Sequence, residues 1–339
     1  MVMGIKKGYL ALVMFLMLVL MVGCSSSNET SGNSSGSKDD DKVKIGVTIV
    51  SMKTPVYQVM KKSAEAKAKE LGVELIWQSA EFDPQVQLNQ IQNFVTSGVD
   101  AIVIEPADDS AAHQHVKLAK DAGIPVVNLE YYIKGADTDL RIVGDSVKVG
   151  ELQVNSFIEE WGDKPAKAVI LSGTSGSEVA ESITKGNKNA IEKNKNIELL
   201  SQQYHNNWDQ QLAMNTMENM LVKYKNDIQV VFANNDSMIM GAYKAAQNAG
   251  VADKIIFYGS DNNQDVVEEI LKDAPIRTVD KGAFLQGERI IEGALKVANE
   301  EEVPYDVVID DIPVWYTPIS LVNKDNLDAA KGKFPELFK

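Results

Sequence analysis

Strand-sized and helix-sized segments alternate along most of this 339-residue chain, and no other feature restricts the fold as strongly. Residues 44–50 (KIGVTIV) are β-branched and bounded by turn residues, and residues 55–71 follow a helical period that stops at Gly72. The rhythm continues with strands at 73–77, 101–104 and 126–129 and helices at 85–96 and 111–122. Glycine just after a helix (Gly98, Gly123) and proline just before a strand (Pro125) mark the joints. After residues 141–144 the pattern restarts. Helices at 147–161, 182–194, 210–224, 238–249, 264–272 and 284–299 alternate with strands at 168–171, 197–203, 229–232, 255–258 and 276–279.

This alternation predicts an α/β fold of parallel sheets covered by helices on both faces. The strands are too many for one ordinary open sheet. The restart near Gly144-Asp145 favours two similar lobes over a closed eight-stranded barrel. In open parallel sheets ligands sit beyond the carboxyl ends of the strands, which directs attention to those loops.

The first 42 residues address and tether the rest of the chain. Lys6 and Lys7 precede an apolar run over 9–22 that ends at Gly23-Cys24. A basic start, an apolar stretch too brief for a comfortable span and a small residue before the cut describe a secretory signal over 1–23. Met21-Val22-Gly23-Cys24 resembles the bacterial lipobox, in which the cysteine is diacylated and becomes the new N-terminus. That resemblance implies a lipid on Cys24, the single cysteine of the chain, and leaves no thiol for disulfides, catalysis or metal binding. Residues 24–42, mostly Ser, Gly, Asn and Asp, cannot build a core and read as a solvated tether reaching about 25 Å. The expected location is extracytoplasmic, anchored to the cell membrane.

A net charge of −14 with no basic stripe argues against a nucleic-acid partner. No second long apolar segment occurs after the leader, so the remainder reads as a soluble body large enough for two domains.

The strand-end loops carry an unusual set of polar and aromatic residues. They include 51–57 (SMKTPVY), 105–108 (EPAD), 130–132 (EYY), 173–177 (GTSGS), 205–209 (HNNWD), 233–236 (ANND), 259–263 (GSDNN) and 280–282 (DKG). Asp and Asn side chains satisfy adjacent hydroxyls, and Trp and Tyr rings cover C–H faces, so the set fits a small polyhydroxylated ligand. Singly each residue has a plainer reading: Asp236 and Asn263 fit helix N-caps, and Trp208 and Tyr57 fit ordinary packing.

Through these loops and the segments around them, the chain resembles the type I periplasmic sugar-binding proteins, the ribose, xylose and galactose group that serves ABC importers. The resemblance runs from Lys44 to about Asn323 and is carried by IGVTIVSMKTPVY, QIQNFVTSGVDAIVIEPAD, AGIPVV, FANNDSMIMGAYKAAQNAG and YGSDNN. It implies two Rossmann-like lobes closing on a ligand, with hinge crossings near Gly144, Lys281 and 310–313. The corresponding domains are residues 43–144 plus 282–310, residues 145–281 plus 311–325, and a tail over 326–339. It implies no cofactor, no metal, a monomer, a sugar or polyol ligand and a membrane permease as partner. By matching motifs, Trp208 stands at a stacking position and Asn235 and Asp261 at hydroxyl-binding positions. Tyr57 matches one first-loop aromatic, and Thr54 replaces the first-loop asparagine. Glu130-Tyr131 replaces an Asp-Arg pair, Lys185 an arginine and Lys281 a late glutamine. These departures point away from ribose itself, toward another neutral sugar or cyclitol, or toward a sugar acid paired by Lys185 and Lys281.

Catalysis is not expected. His113 and His115 lie two apart on a helix and face different ways, and His205 reads as a solvated loop residue. No P-loop spacing, GxSxG or HExxH occurs. The sequence leaves two uses of such a protein open. One is delivery to a permease and the other is sensing, in which the closed form docks on a receptor or histidine kinase.

Overall fold

The computed structural model describes residues 42–133 and 135–338. The signal, Cys24 and all but the last residue of the tether lie outside the described residues.

The first lobe opens with β1 (Lys44–Ile49), α1 (Pro55–Leu71), β2 (Glu74–Ser79), α2 (Pro84–Ser97), β3 (Ala101–Ile104), α3 (Asp109–Asp121), β4 (Val126–Leu129) and β5 (Leu140–Gly144). Local signals explain the boundaries. Gly72 and Gly98 end α1 and α2 in the left-handed conformation, and the carboxylates of Asp83 and Asp108 cap the first turns of α2 and α3. The second lobe holds α4 (Ser146–Trp161), β6 (Ala166–Ser172), α5 (Glu178–Glu192), β7 (Ile197–Tyr204), α6 (Gln210–Lys223), β8 (Val230–Ala233), α7 (Asp236–Asn248), β9 (Ile256–Ser260), α8 (Gln264–Leu271) and β10 (Ile276–Asp280). The chain then returns to the first lobe through α9 (Ala283–Ala298), β11 (Val307–Ile309) and β12 (Ile312–Thr317). It ends in the second with β13 (Ser320–Val322) and α10 (Asp328–Lys333).

The first sheet runs β11-β12-β5-β4-β3-β1-β2 and the second β13-β10-β9-β8-β6-β7. Among these strands only the terminal ones, β11 and β13, pair antiparallel. β3 (AIVI) and β8 (VVFA) are buried along their whole length, as strands covered on both faces must be. Each sheet has a separate apolar cluster on either face, around Ile290 and Phe94 in one lobe and around Met217 and Phe157 in the other. The two-lobe α/β expectation is met, and the barrel is not.

Two boundaries need correction. Residues 312–317 were expected in the second lobe, beyond a crossing at 310–313, but β12 pairs in parallel with β5 of the first sheet. Asp310 and Asp311, at φ +48° and +66°, form the two-residue turn of the β11–β12 hairpin instead. The third crossing therefore falls at residues 318–319. The stretch 326–339, expected to be a tail, contains α10, whose Ala330 is buried in the second lobe's core together with Phe334.

The three crossings touch. Thr317 donates its hydroxyl to the Lys281 carbonyl at 2.6 Å. A Cβ on Gly144 would lie 3.0 Å from that of Lys281, so a side chain here would push two hinge strands apart.

Candidate functional site

Between the lobes, at the carboxyl ends of both sheets, lies a cavity of about 450 Å³ including its mouth. Phe82, Tyr57, Tyr131 and Trp208 supply its aromatic walls, and Glu105, Glu130, Asp261, Asn235, Thr54 and Lys281 its polar ones.

Four of these, Phe82, Glu130, Trp208 and Asp261, hold positive φ of +64°, +64°, +56° and +121°. Side chains at such angles cost of order 1–3 kcal/mol each and persist only where the surroundings over-determine them. Trp208 shows how. His205, buried rather than solvated as its loop position suggested, bonds the Ser172 carbonyl through Nδ1 and the Thr216 hydroxyl through Nε2, both at 3.0 Å. The Asn207 N–H donates to the Thr174 hydroxyl at 2.9 Å. These bonds press the indole onto Gly173, where a Cβ would come within 2.6 Å of the ring. The result is a fixed apolar platform.

The polar groups form one connected set. Lys281 Nζ lies 3.1 Å from Asp261 Oδ1 and 3.8 Å from Glu130 Oε2. Burial pulls the Lys281 pKa down, but Asp261 and Glu130 outweigh it and hold it above the usual lysine value. Burial raises the Asp261 pKa against the opposing pull of Lys281. Gln286 on α9 donates to Glu130 Oε1, and Arg141 Nη2 donates to the Glu130 carbonyl at 2.8 Å. Glu130 Oε2 is buried and accepts no hydrogen bond from the described residues. Near them, Glu105 is fully buried, accepting from the Tyr57 hydroxyl and from the Val50 N–H at 3.2 Å. Burial pushes Glu105 up to about 8 despite both donors, so it is mostly protonated at neutral pH. Asn235 caps α7 by accepting from the Met238 N–H at 2.9 Å, which leaves its amide NH₂ for the cavity.

The lobes also meet outside the cavity. Glu178, the first residue of α5, accepts from Arg141 Nη2 at 3.0 Å and from the Tyr132 N–H at 3.2 Å. Its own N–H donates to Asp109 Oδ2 at 3.0 Å. These cross-lobe bonds define a closed arrangement.

A family model described as the periplasmic binding protein domain matches residues 45–302. The chain belongs to the type I periplasmic sugar-binding proteins. Among curated relatives, the ribose import binding protein of Bacillus subtilis is 28% identical over 297 residues, covering 88% of this chain and 95% of the relative. The D-xylose-binding periplasmic protein of Escherichia coli is 30% identical over 294 residues, covering 84% and 88%. Among solved structures, an ABC transporter solute-binding protein of Bacillus halodurans with bound myo-inositol superposes with a TM-score of 0.78. It is 28% identical and covers 87% of this chain and 99% of that one. Family membership makes this a binding protein and not an enzyme.

As a periplasmic binding protein, the chain brings eight of its nine sequence-nominated residues to the cavity: Thr54, Tyr57, Glu130, Tyr131, Trp208, Asn235, Asp261 and Lys281. The exception is Lys185, which is exposed on α5 and does not line the cavity. Its neighbours Thr184 and Gly186 are buried, Gly186 closely against the Val147 backbone, and the helical turn carries Lys185 to the solvent face. Asp236, nominated as a cap, is instead buried at the start of α7. It accepts from the Thr278 hydroxyl and the Asn263 N–H at 2.7 Å each.

Sequence reasoning missed three participants. Phe82 follows β2 and was findable by the same strand-end rule. Glu105 was visible in its loop, but its burial was not. Lys333 on α10 donates to the carbonyls of Asp261 and Asn262 at 2.7 and 2.9 Å, supporting the loop from behind, and no local pattern signals that. Among the described residues, no cluster of three His, Cys, Asp or Glu side chains could hold a metal. None of their helices is long and apolar enough to cross a membrane.

Proposed function

We propose that this protein captures a monosaccharide or related polyol by lobe closure and delivers it to an ABC importer, held at the membrane's outer face by a lipid on Cys24. The observation that carries this reading is the cavity itself. An aromatic platform, Trp208, shares the cavity with carboxyl groups from both lobes and the Asn235 amide, the combination that binds a ring's C–H faces and its hydroxyls together. Contacts to both lobes stabilise the closed state, and the importer reads closure. The ligands named for relatives (ribose, xylose, myo-inositol) are all ring-forming polyols.

The acid-binding alternative loses one of its two cations, because Lys185 is at the surface and Lys281 is engaged by Asp261. The test is a thermal-shift screen of the purified protein in mild detergent against pentoses, hexoses, cyclitols, amino sugars and sugar acids. Ligand binding raises the midpoint by mass action, so a rise with one ring polyol supports the reading. No shift with any of them removes it. Release of the protein from membranes by Cys24→Ser would support the anchor.

A further inference from the structure

The cavity's charges do not balance. Glu130 and Asp261 line it as carboxylates, while Lys281 is the only cation among the described residues that line it; Glu105 carries a proton at neutral pH. Of the cations behind the wall, Arg141 pairs with Glu178, and Lys333, which donates to the carbonyls of Asp261 and Asn262, lends its charge to Asp261. Lys281 sits at hydrogen-bonding distance from Asp261 but 3.8 Å from Glu130, so Glu130 receives the weaker share of a single ammonium. Its Oε2 remains buried, bordering the cavity, with no hydrogen-bond donor among the described residues. A buried carboxylate oxygen in that state demands a donor, and a charged donor satisfies it best.

We infer that the cavity selects a polyhydroxylated ring bearing one ammonium group, such as an amino sugar or aminocyclitol, over its neutral and acidic isosteres. This rests on reading the cavity as a polyol site. A neutral ring donates a hydroxyl to Glu130 Oε2 but leaves that buried carboxylate with no charged partner at hydrogen-bonding distance when the lobes close. A ring carboxylate adds a second and must compete with Asp261 for Lys281. An ammonium on the ring supplies the missing donor and cancels the charge in one contact.

The test is isothermal titration of the purified full-length protein in mild detergent with matched sets of ligands. These are D-glucose, D-glucosamine and D-glucuronate; D-galactose, D-galactosamine and D-galacturonate; and scyllo-inositol with scyllo-inosamine. The expected result is one amine bound at least about tenfold more tightly than its hydroxyl counterpart, with acids weaker still. Glu130→Gln should bring the amine-to-hydroxyl ratio close to one. Should that variant fail to fold, the wild-type ratios decide alone. A neutral ring that binds as tightly as its amine, or more so, overturns the inference and leaves the polyol reading standing. Failure of every ring compound, whatever its charge, overturns both.

Discussion

Glu178 of the second lobe and Arg141 of the first meet across the cleft at 3.0 Å, outside the cavity. Because Arg141 also holds the Glu130 backbone carbonyl, the pair ties lobe closure to the position of a cavity-lining carboxylate. It is largely shielded from solvent and lines no part of the cavity, so it bears on the closed population and not on recognition.

Glu178→Gln should therefore shift the ligand-free protein toward open lobes. The apparent affinity scales with the closed-competent fraction, so it should fall by about three- to tenfold. Small-angle scattering should show a larger radius without ligand and the wild-type radius at saturation. Unchanged scattering and unchanged affinity would show that the contact does not hold the lobes together.

Asp261→Ala should cost more, about 2–3 kcal/mol of binding free energy, because it removes a buried, charge-assisted hydrogen bond. It also strips Lys281 of its nearest partner. Titration calorimetry with whichever ligand the thermal screen identifies measures this directly, and an affinity within twofold of wild type would remove Asp261 from the site.

Glu105 makes stability pH-dependent. Its folded pKa is raised, from 4.5 to about 8, so its favourable contribution is complete below pH 4.5 and is lost as pH climbs toward 8. At about 1.4 kcal/mol per unit, the full loss is on the order of several kcal/mol. Glu105→Gln cannot ionise and keeps an acceptor for the Tyr57 hydroxyl. The variant's melting temperature should gain on wild type steadily from pH 5 to pH 8. A difference that stays flat across that interval would mean Glu105 is not buried as described.

Lys333→Met should weaken ligand binding severalfold without touching ligand. The ammonium holds the carbonyls of Asp261 and Asn262, and without it the loop after β9 gains freedom that closure must then remove. Hydrogen exchange should rise at residues 261–263, and a loop as protected as in wild type would contradict this role.

Much of this architecture could be read along the chain. Gly72 and Gly98 end helices, Asp83 and Asp108 begin them, and apolar runs such as AIVI and VVFA mark strands buried on both faces. These are local effects, set by backbone sterics and by side-chain bonds a few residues long. Because a strand's carboxyl end is also local, residues such as Tyr57, Trp208, Asn235 and Asp261 could be nominated from the sequence alone. Other features depend on parts of the chain far apart in sequence. The crossing expected at 310–313 is instead a hairpin, turned at Asp310-Asp311, whose second strand finds β5 about 170 residues upstream. Lys185 and Lys333 exchanged importance for a similar reason. Helical rotation turned one outward, and the docking of α10 on the second lobe brought the other behind the loop that lines the cavity. Burial itself is a property of the assembled fold: Glu105 reads as an ordinary loop acid until two lobes enclose it and change its charge.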